Sequence, residues 1–385
     1  MPSNRFICND HETLRTVDAN EELLASLDRI TTHYPPVHTC STGWKFEGFY
    51  NGPTSIAYLF YRLSQIFPDL EFKRQSLLDW AEAYLALGAR RTEKPPYPCY
   101  CGITNETLAH LSLTAVMQQN LNLVQQVCSF GADLNKIHFP GSDEWMYGRA
   151  GYLYFLRLCE TLVKAEDPTS TSSTARLLNK TIQCTMIRIL ATEPPRYWQG
   201  KEYIGAANGT IGIICQLVLS RSFIARSLHD MLEKLLKRQL SSGNFPRTPR
   251  SKDDNLVQFC HGGPGFNIAL RSLLPCFSAQ LRLKIEQVMK DADEDIWRRG
   301  VLAKNPCLCH GIASNALALS DGGEERFLHF LSWMRTEEME NRGWLEESER
   351  DDDSAGLFTG EAGRAWVWAV AASKGPRVVI GFNDL

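Results

Sequence analysis

The 385 residues exceed what one ordinary hydrophobic core organises, so the length asks for several domains or for one large repetitive architecture. A formal net charge of −3 lacks the basic surplus of a dedicated nucleic-acid binder. No run approaches the roughly 18 consecutive apolar residues that a membrane span needs.

The opening stretch MPSNRFICNDHETLRT carries no apolar targeting core. Several of the twelve cysteines lie inside apolar helical runs, Cys159 in YLYFLRLCETLV and Cys215 in IGIICQLVLS. Such thiols read as buried and reduced, which makes a cytoplasmic protein the expectation.

From position 50 onward the chain repeats one phrase: a glycine, an apolar run of helical period, then a second amphipathic run. YNGPTSIAYLFYRL opens it at Gly52, and YCGITNETLAHLSL follows at Gly102, YGRAGYLYFLRL at Gly148 and ANGTIGIICQLVL at Gly209. CHGGPGFNIAL continues it at Gly262, CHGIASNALAL at Gly311 and FTGEAGRAWVWAV at Gly360. The intervals are 50, 46, 61, 53, 49 and 49 residues. Four units carry a second glycine three places on (Gly151, Gly212, Gly265, Gly363), where Ser55, Asn105 and Ser314 stand in the others. Two helices per unit predict about fourteen helices in one all-α domain over 1–385. Small residues where the more apolar helices begin let helix ends crowd round an axis. This favours a closed α/α toroid of seven helical hairpins over an open solenoid. Polar interruptions at 91–98, 165–174, 245–255 and 347–354 fall between units, none long enough to link separate domains. Strand signals are nearly absent, RVVIGF near the C-terminus being the best candidate.

In a closed toroid, equivalent positions of every unit face one mouth. One place before the first glycines stand Asn51, Cys101, Tyr147, Asn208, His261, His310 and Thr359. Two places before stand Tyr50, Tyr100, Met146, Ala207, Cys260, Cys309 and Phe358. Two adjacent units thus bring Cys260 and Cys309 to one cavity, with His310 beside the second. Two sulfurs and one imidazole are the donor types zinc prefers, and three protein ligands leave the open position of a catalytic site. Cys307 could replace Cys309 as a ligand, and His261 could replace His310. A Zn²⁺ held by two thiolates and a neutral imidazole is formally uncharged yet still ionises an incoming thiol, leaving it nucleophilic. Sulfur attack on an electrophilic carbon is therefore the expected chemistry.

The phrases CHGGPG, LCHGIASNALAL, YGRAGYLY and GLFTGEAG resemble the lanthionine synthetase C-like (LanC-like) proteins, over almost the whole chain. The resemblance implies an α/α toroid with zinc held by Cys260, Cys309 and His310. It also implies a glutathione thiol added to dehydroalanine or dehydrobutyrine in a peptide or protein, as in the eukaryotic type. Lys304, five residues before Cys309, is implied to lie near a glutathione carboxylate. Where the family has a proton-donating histidine this chain has Asn208, which can hydrogen-bond an oxyanion but delivers no proton near neutral pH. Glu144 stands where bacterial members place an aspartate, with Asp143 beside it, and His261 is an alternative acid. The rival implied by Asn208 is a zinc- and glutathione-binding adaptor without turnover.

Overall fold

The computed structural model describes residues 5–9, 14–37, 43–89, 95–137, 139–320, 323–344 and 355–385. The interruption at 347–354 lies outside them. In chain order come α1 (Ala19–His33), α2 (Pro53–Ile66), α3 (Leu77–Gly88), α4 (Glu106–Met117), α5 (Leu121–Ser129) and the single-turn α6 (Gly131–Leu134). Then follow α7 (Arg149–Glu166), α8 (Ser173–Leu190), α9 (Thr210–Ser220), α10 (Ala225–Leu236), α11 (Gly263–Leu273) and α12 (Ala279–Arg299). The last are α13 (Ile312–Ala318), α14 (Gly323–Ser332), α15 (Thr336–Asn341) and α16 (Glu361–Ser373).

Helices α2, α4, α7, α9, α11, α13 and α16 form the inner ring, each packed on the next, and α16 packs back on α2. The ring is closed. Inner helices are buried on most sides, as the consecutive Tyr152, Leu153, Tyr154 and Phe155 of α7 show. Outer helices keep a one-sided stripe, such as Leu228, Leu232, Leu235 and Leu236 of α10. The starts differ in the same way. Outer α1, α3, α5, α8 and α12 are capped by the side chains of Asp18, Ser76, Asn120, Ser172 and Ser278. Except for α4, which Asn105 caps by accepting from Leu108 N–H at 2.9 Å, the inner helices follow a glycine that offers no side-chain cap, and the preceding loop supplies its own carbonyls. Arg149 N–H donates to Ser142 O at 2.8 Å, Ile211 N–H to Ile204 O at 3.1 Å and Ala362 N–H to Ala355 O at 3.2 Å.

That loop explains the second glycine of each phrase. A Cβ on Gly151 would land on the Trp145 carbonyl oxygen, on Gly212 on that of Ala206, on Gly265 on that of Phe259, and on Gly363 on that of Leu357. Each oxygen lies six residues back, where the loop folds over the first helical turn. Where serine replaces glycine, its hydroxyl turns back to the loop, as Ser55 Oγ donates to Gly52 O at 2.7 Å.

Two expectations change. Among the described residues no outer helix follows α16; α1, from before the first unit, packs on α16 and takes that place in the outer ring. RVVIGF is not a strand. Val379, Ile380 and Phe382 are fully buried because this tail fills the bore of the ring. The Phe382 ring meets Trp145 at 5.4 Å and Phe259 at 5.2 Å. The Asp384 carboxylate accepts from Tyr154 at 2.7 Å, Tyr58 at 3.0 Å and Arg62 at 3.1 Å. Strands among the described residues are confined to two hairpins, β1 (Glu71–Phe72) with β2 (Gln75–Ser76), and β3 (Tyr197–Trp198) with β4 (Lys201–Glu202).

Phe382→Ala is expected to lower unfolding free energy by about 3–5 kcal/mol through the cavity it leaves. Gly151→Ala should lower it by at least about 3 kcal/mol, because backbone that cannot rotate away surrounds the added methyl. Gly375→Ala meets just the Ser373 hydroxyl and should stay within about 0.5 kcal/mol. Urea denaturation followed by circular dichroism reads all three.

Candidate active site at the mouth of the toroid

The loops that start the inner helices are stitched together by backbone. Cys260 N–H donates to Cys309 O at 3.0 Å, Cys309 N–H to Phe358 O at 2.9 Å and Phe358 N–H to Tyr50 O at 3.0 Å. On the far side Phe49 N–H donates to Ile103 O, Ile103 N–H to Trp145 O and Trp145 N–H to Ala207 O. Cys260 and Cys309 are therefore neighbours across one peptide hydrogen bond despite lying 49 residues apart in sequence.

Their sulfurs are buried, and each shifts the proton affinity of the other. The Cys309 thiol holds Cys260 below the usual thiol range, helped by Gln258, whose Nε2 donates to Cys260 Sγ at 3.1 Å. Cys260 in turn pushes Cys309 up, and burial adds to it. Lys304 Nζ donates to Gln258 Oε1 at 3.3 Å, which links the predicted carboxylate-binding cation to Cys260 through one amide. Burial lowers the Lys304 ammonium. The Tyr50 hydroxyl reaches Cys309 while its ring lies parallel to Phe358 at 5.8 Å.

Both histidines are half-buried and held neutral, lowered to about 4: burial acts on each, with Lys304 adding to it at His310 and Arg247 at His261. A neutral imidazole is the metal-binding form. The His261 ring stacks on Tyr203 at 5.2 Å, and its buried Nδ1 has no hydrogen-bond partner. The His310 ring and the two sulfurs do not form a group with all ligand atoms within 4.8 Å of one another. Among the described residues His229, Asp230 and Glu233 on the outer helix α10 form such a group, and there Glu233 pairs with Lys284. Burial pushes the Cys307 thiol up to about 11, which disfavours the thiolate a ligand needs. The donor set fits a zinc-type ion in its chemistry: two buried cysteines joined by a backbone hydrogen bond, with a neutral imidazole directly following each.

Glu144 and Asn208 meet. Asn208 Nδ2 donates to Glu144 Oε2 at 2.9 Å across 64 residues, and the same carboxyl accepts from Met146 N at 2.7 Å and Tyr147 N at 2.5 Å. Burial raises Glu144 to about 8 and outweighs those three donated bonds. Asp143 instead binds Arg149 at 2.8 Å and Thr192 at 2.7 Å. A cavity of about 130 Å³ opens beside Glu144 and Asn208 under the β3–β4 hairpin.

The family model described as "Lanthionine synthetase C-like protein" matches residues 44–370, most of the chain. The chain belongs to the lanthionine synthetase C-like family. A relative from Danio rerio named "Glutathione S-transferase LANCL1" is 27% identical over 286 residues, 69% of this chain and 67% of that protein. "LanC-like protein GCL1" from Arabidopsis thaliana is 28% identical over 249 residues; the match covers 60% of this chain and just over half, 55%, of that relative. The solved structure of "Nisin cyclase" superposes with a TM-score of 0.51 at 13% identity, covering 93% of this chain and 94% of that one. That likeness establishes the α/α toroid.

Sequence patterns missed Tyr50, Gln258, Trp198 and Tyr203 at the mouth. Tyr50 stood in the thiol column, so the column itself carried that signal. Gln258 lies two residues before Cys260 and had no pattern to mark it.

Because the folded chain holds the Glu144 proton up to about 8, against 4.5 for a free carboxyl, folding favours its neutral form. Its stabilising contribution is complete in acid and is lost as pH rises from about 4.5 through 8. Glu144→Gln should therefore flatten the fall in stability between about pH 5.5 and 8.5, measured by urea denaturation against wild type. An unchanged slope would mean that Glu144 is ionised throughout.

Proposed function

We propose that this LanC-like protein binds zinc and glutathione and adds the glutathione sulfur to dehydroalanine or dehydrobutyrine in a peptide or protein. The observation that carries this reading is the buried Cys260–Cys309 sulfur pair at adjacent helix starts, with Cys260 drawn toward the thiolate. In this reading residues 1–385 form a single toroid domain, and Cys260, Cys309 and His310 hold the metal. His261 is the alternative imidazole. A bound zinc would supply the Lewis acidity that ionises an incoming thiol. Lys304, tied to Gln258, offers a cation for a glutathione carboxylate. The N-termini of the inner helices converge on this mouth, and their partial positive charge favours anions there.

Thiol addition forms a C–S bond at the β-carbon, sends the π pair to the acyl oxygen as an enolate, and ends with a proton at the α-carbon. Asn208 can hydrogen-bond the enolate oxygen but cannot give that proton. The Glu144 carboxyl beside it is still largely protonated near neutral pH and can. His261, lowered to about 4, is a weak source of protons at that pH. The described cysteines are all free, which fits a cytoplasmic setting. No helix among the described residues is long and apolar enough to cross a membrane.

Asn208 supports a second reading, a zinc- and glutathione-binding adaptor without turnover. Incubation with glutathione and a dehydroalanine peptide, read by the thioether mass, separates the two. Product above the uncatalysed rate is expected, and Glu144→Gln should lower it by about 10²–10⁴-fold if Glu144 is the acid. Zinc bound and glutathione bound with no product would establish the adaptor. Metal analysis should find near-stoichiometric zinc in wild type and loss of it in Cys260→Ala and in Cys309→Ala; zinc retained in both variants refutes the ligand assignment.

A further inference from the structure

The longest interval between glycines, 61 residues from Gly148 to Gly209, contains the β3–β4 hairpin. Tyr197 pairs with Glu202 and Trp198 with Lys201, and the two turn residues, Gln199 (φ 46°) and Gly200 (φ 73°), have the left-handed backbone of a tight hairpin turn. The surplus residues of this unit thus deliver one large aromatic side chain to the mouth. The Trp198 ring lies parallel to Tyr147 at 5.9 Å and edge-on to Tyr203 at 5.7 Å, and Tyr203 stacks on His261. Gly141, across from it, leaves the room: an added Cβ would sit 3.1 Å from Trp198 Cδ1.

Beneath the hairpin is the 130 Å³ cavity, walled by Trp198, Ile213, Pro140 and Gly141 and reaching Glu144 and Asn208. That volume is close to the roughly 150 Å³ in which a protein cavity takes up one benzene. Arg196 also borders the cavity, but its guanidinium is turned to Ile189 O at 3.3 Å and Met231 Sδ at 3.6 Å. None of Cys260, Gln258 and Lys304 lines the cavity, so the glutathione side of the proposed site leaves it free. Glu144 and Asn208 belong both to its wall and to the proposed protonation point.

We propose that this pocket is an acceptor subsite that receives an aromatic side chain of the peptide, next to the dehydro residue, and that Trp198 determines this preference. The inference rests on the acceptor chemistry proposed above and names the substrate class for it. An aromatic ring in the pocket would stack against Trp198, and the peptide backbone would then hold the unsaturated carbon within reach of Glu144 and Asn208.

The test uses the zinc-loaded 385-residue chain and dehydroalanine peptides with Phe, Gly or Asp beside the reactive residue. Wild type should favour Phe over Gly by about tenfold in kcat/KM. Trp198→Ala should reduce that preference to within about twofold while leaving zinc content and the KM for glutathione unchanged, and Trp198→Phe should keep most of it. A second arm needs no turnover: unreactive peptides with alanine at the acceptor position are titrated calorimetrically. Tighter binding of the Phe peptide, lost in Trp198→Ala, supports the pocket even if no thioether forms, in which case only the catalytic reading fails. The proposal is overturned by equal binding of Phe and Gly peptides to wild type, by preference for Asp, or by a Trp198→Ala effect confined to glutathione.

Discussion

Everything at the mouth depends on a belt of peptide hydrogen bonds that runs from loop to loop where the inner helices begin. Cys260 to Cys309, Cys309 to Phe358 and Phe358 to Tyr50 are each joined through one N–H and one carbonyl. A belt of this kind fixes neighbouring loops at strand-like spacing, which is close enough for side chains at equivalent positions to touch. Two cysteines in adjacent units then meet without any further device. The glycines are the condition for the belt, because the loop carbonyl that sits on each first helical turn leaves no space for a Cβ at Gly212, Gly265 or Gly363.

Below the belt the molecule is apolar and filled. Trp145, Phe259, Phe358 and Phe382 pack edge to face or tilted as a floor beneath the mouth, with the C-terminal tail reaching up the bore from the other side. The floor keeps water from the underside of the loops, and burial is what shifts the groups above it. It holds His261 and His310 neutral and keeps a proton on Glu144 near pH 7. In this fold a buried carboxyl stands directly beside Asn208. The chemistry of the two side chains is shared across a 2.9 Å hydrogen bond.

The toroid, the closure of the ring and the adjacency of Cys260 to Cys309 were legible in the residues, because each follows from one phrase that recurs in seven units. Glu144 and Asn208 were legible singly. Their contact was not, since they occupy different columns of different units and a repeat pattern aligns columns without joining them. Trp198 was hidden for another reason: the hairpin that carries it is an insertion, which a periodic reading registers as irregular length. The tail RVVIGF was misread because fully buried apolar segments look alike whether they pair in a sheet or plug a channel.

Sequence alone determined the helical period, the seven glycine-led units and the residue types facing the mouth. All of these are local, set by backbone sterics and apolar spacing within about fifty residues. Tertiary structure decided what joins distant parts of the chain. It set α1 against α16 to complete the outer ring, placed Phe382 under Trp145, and brought Glu144 to Asn208 and Trp198 to Tyr147. Those contacts arise only when the ring closes, because closure makes neighbours of segments whose separation along the chain carries no periodic signal.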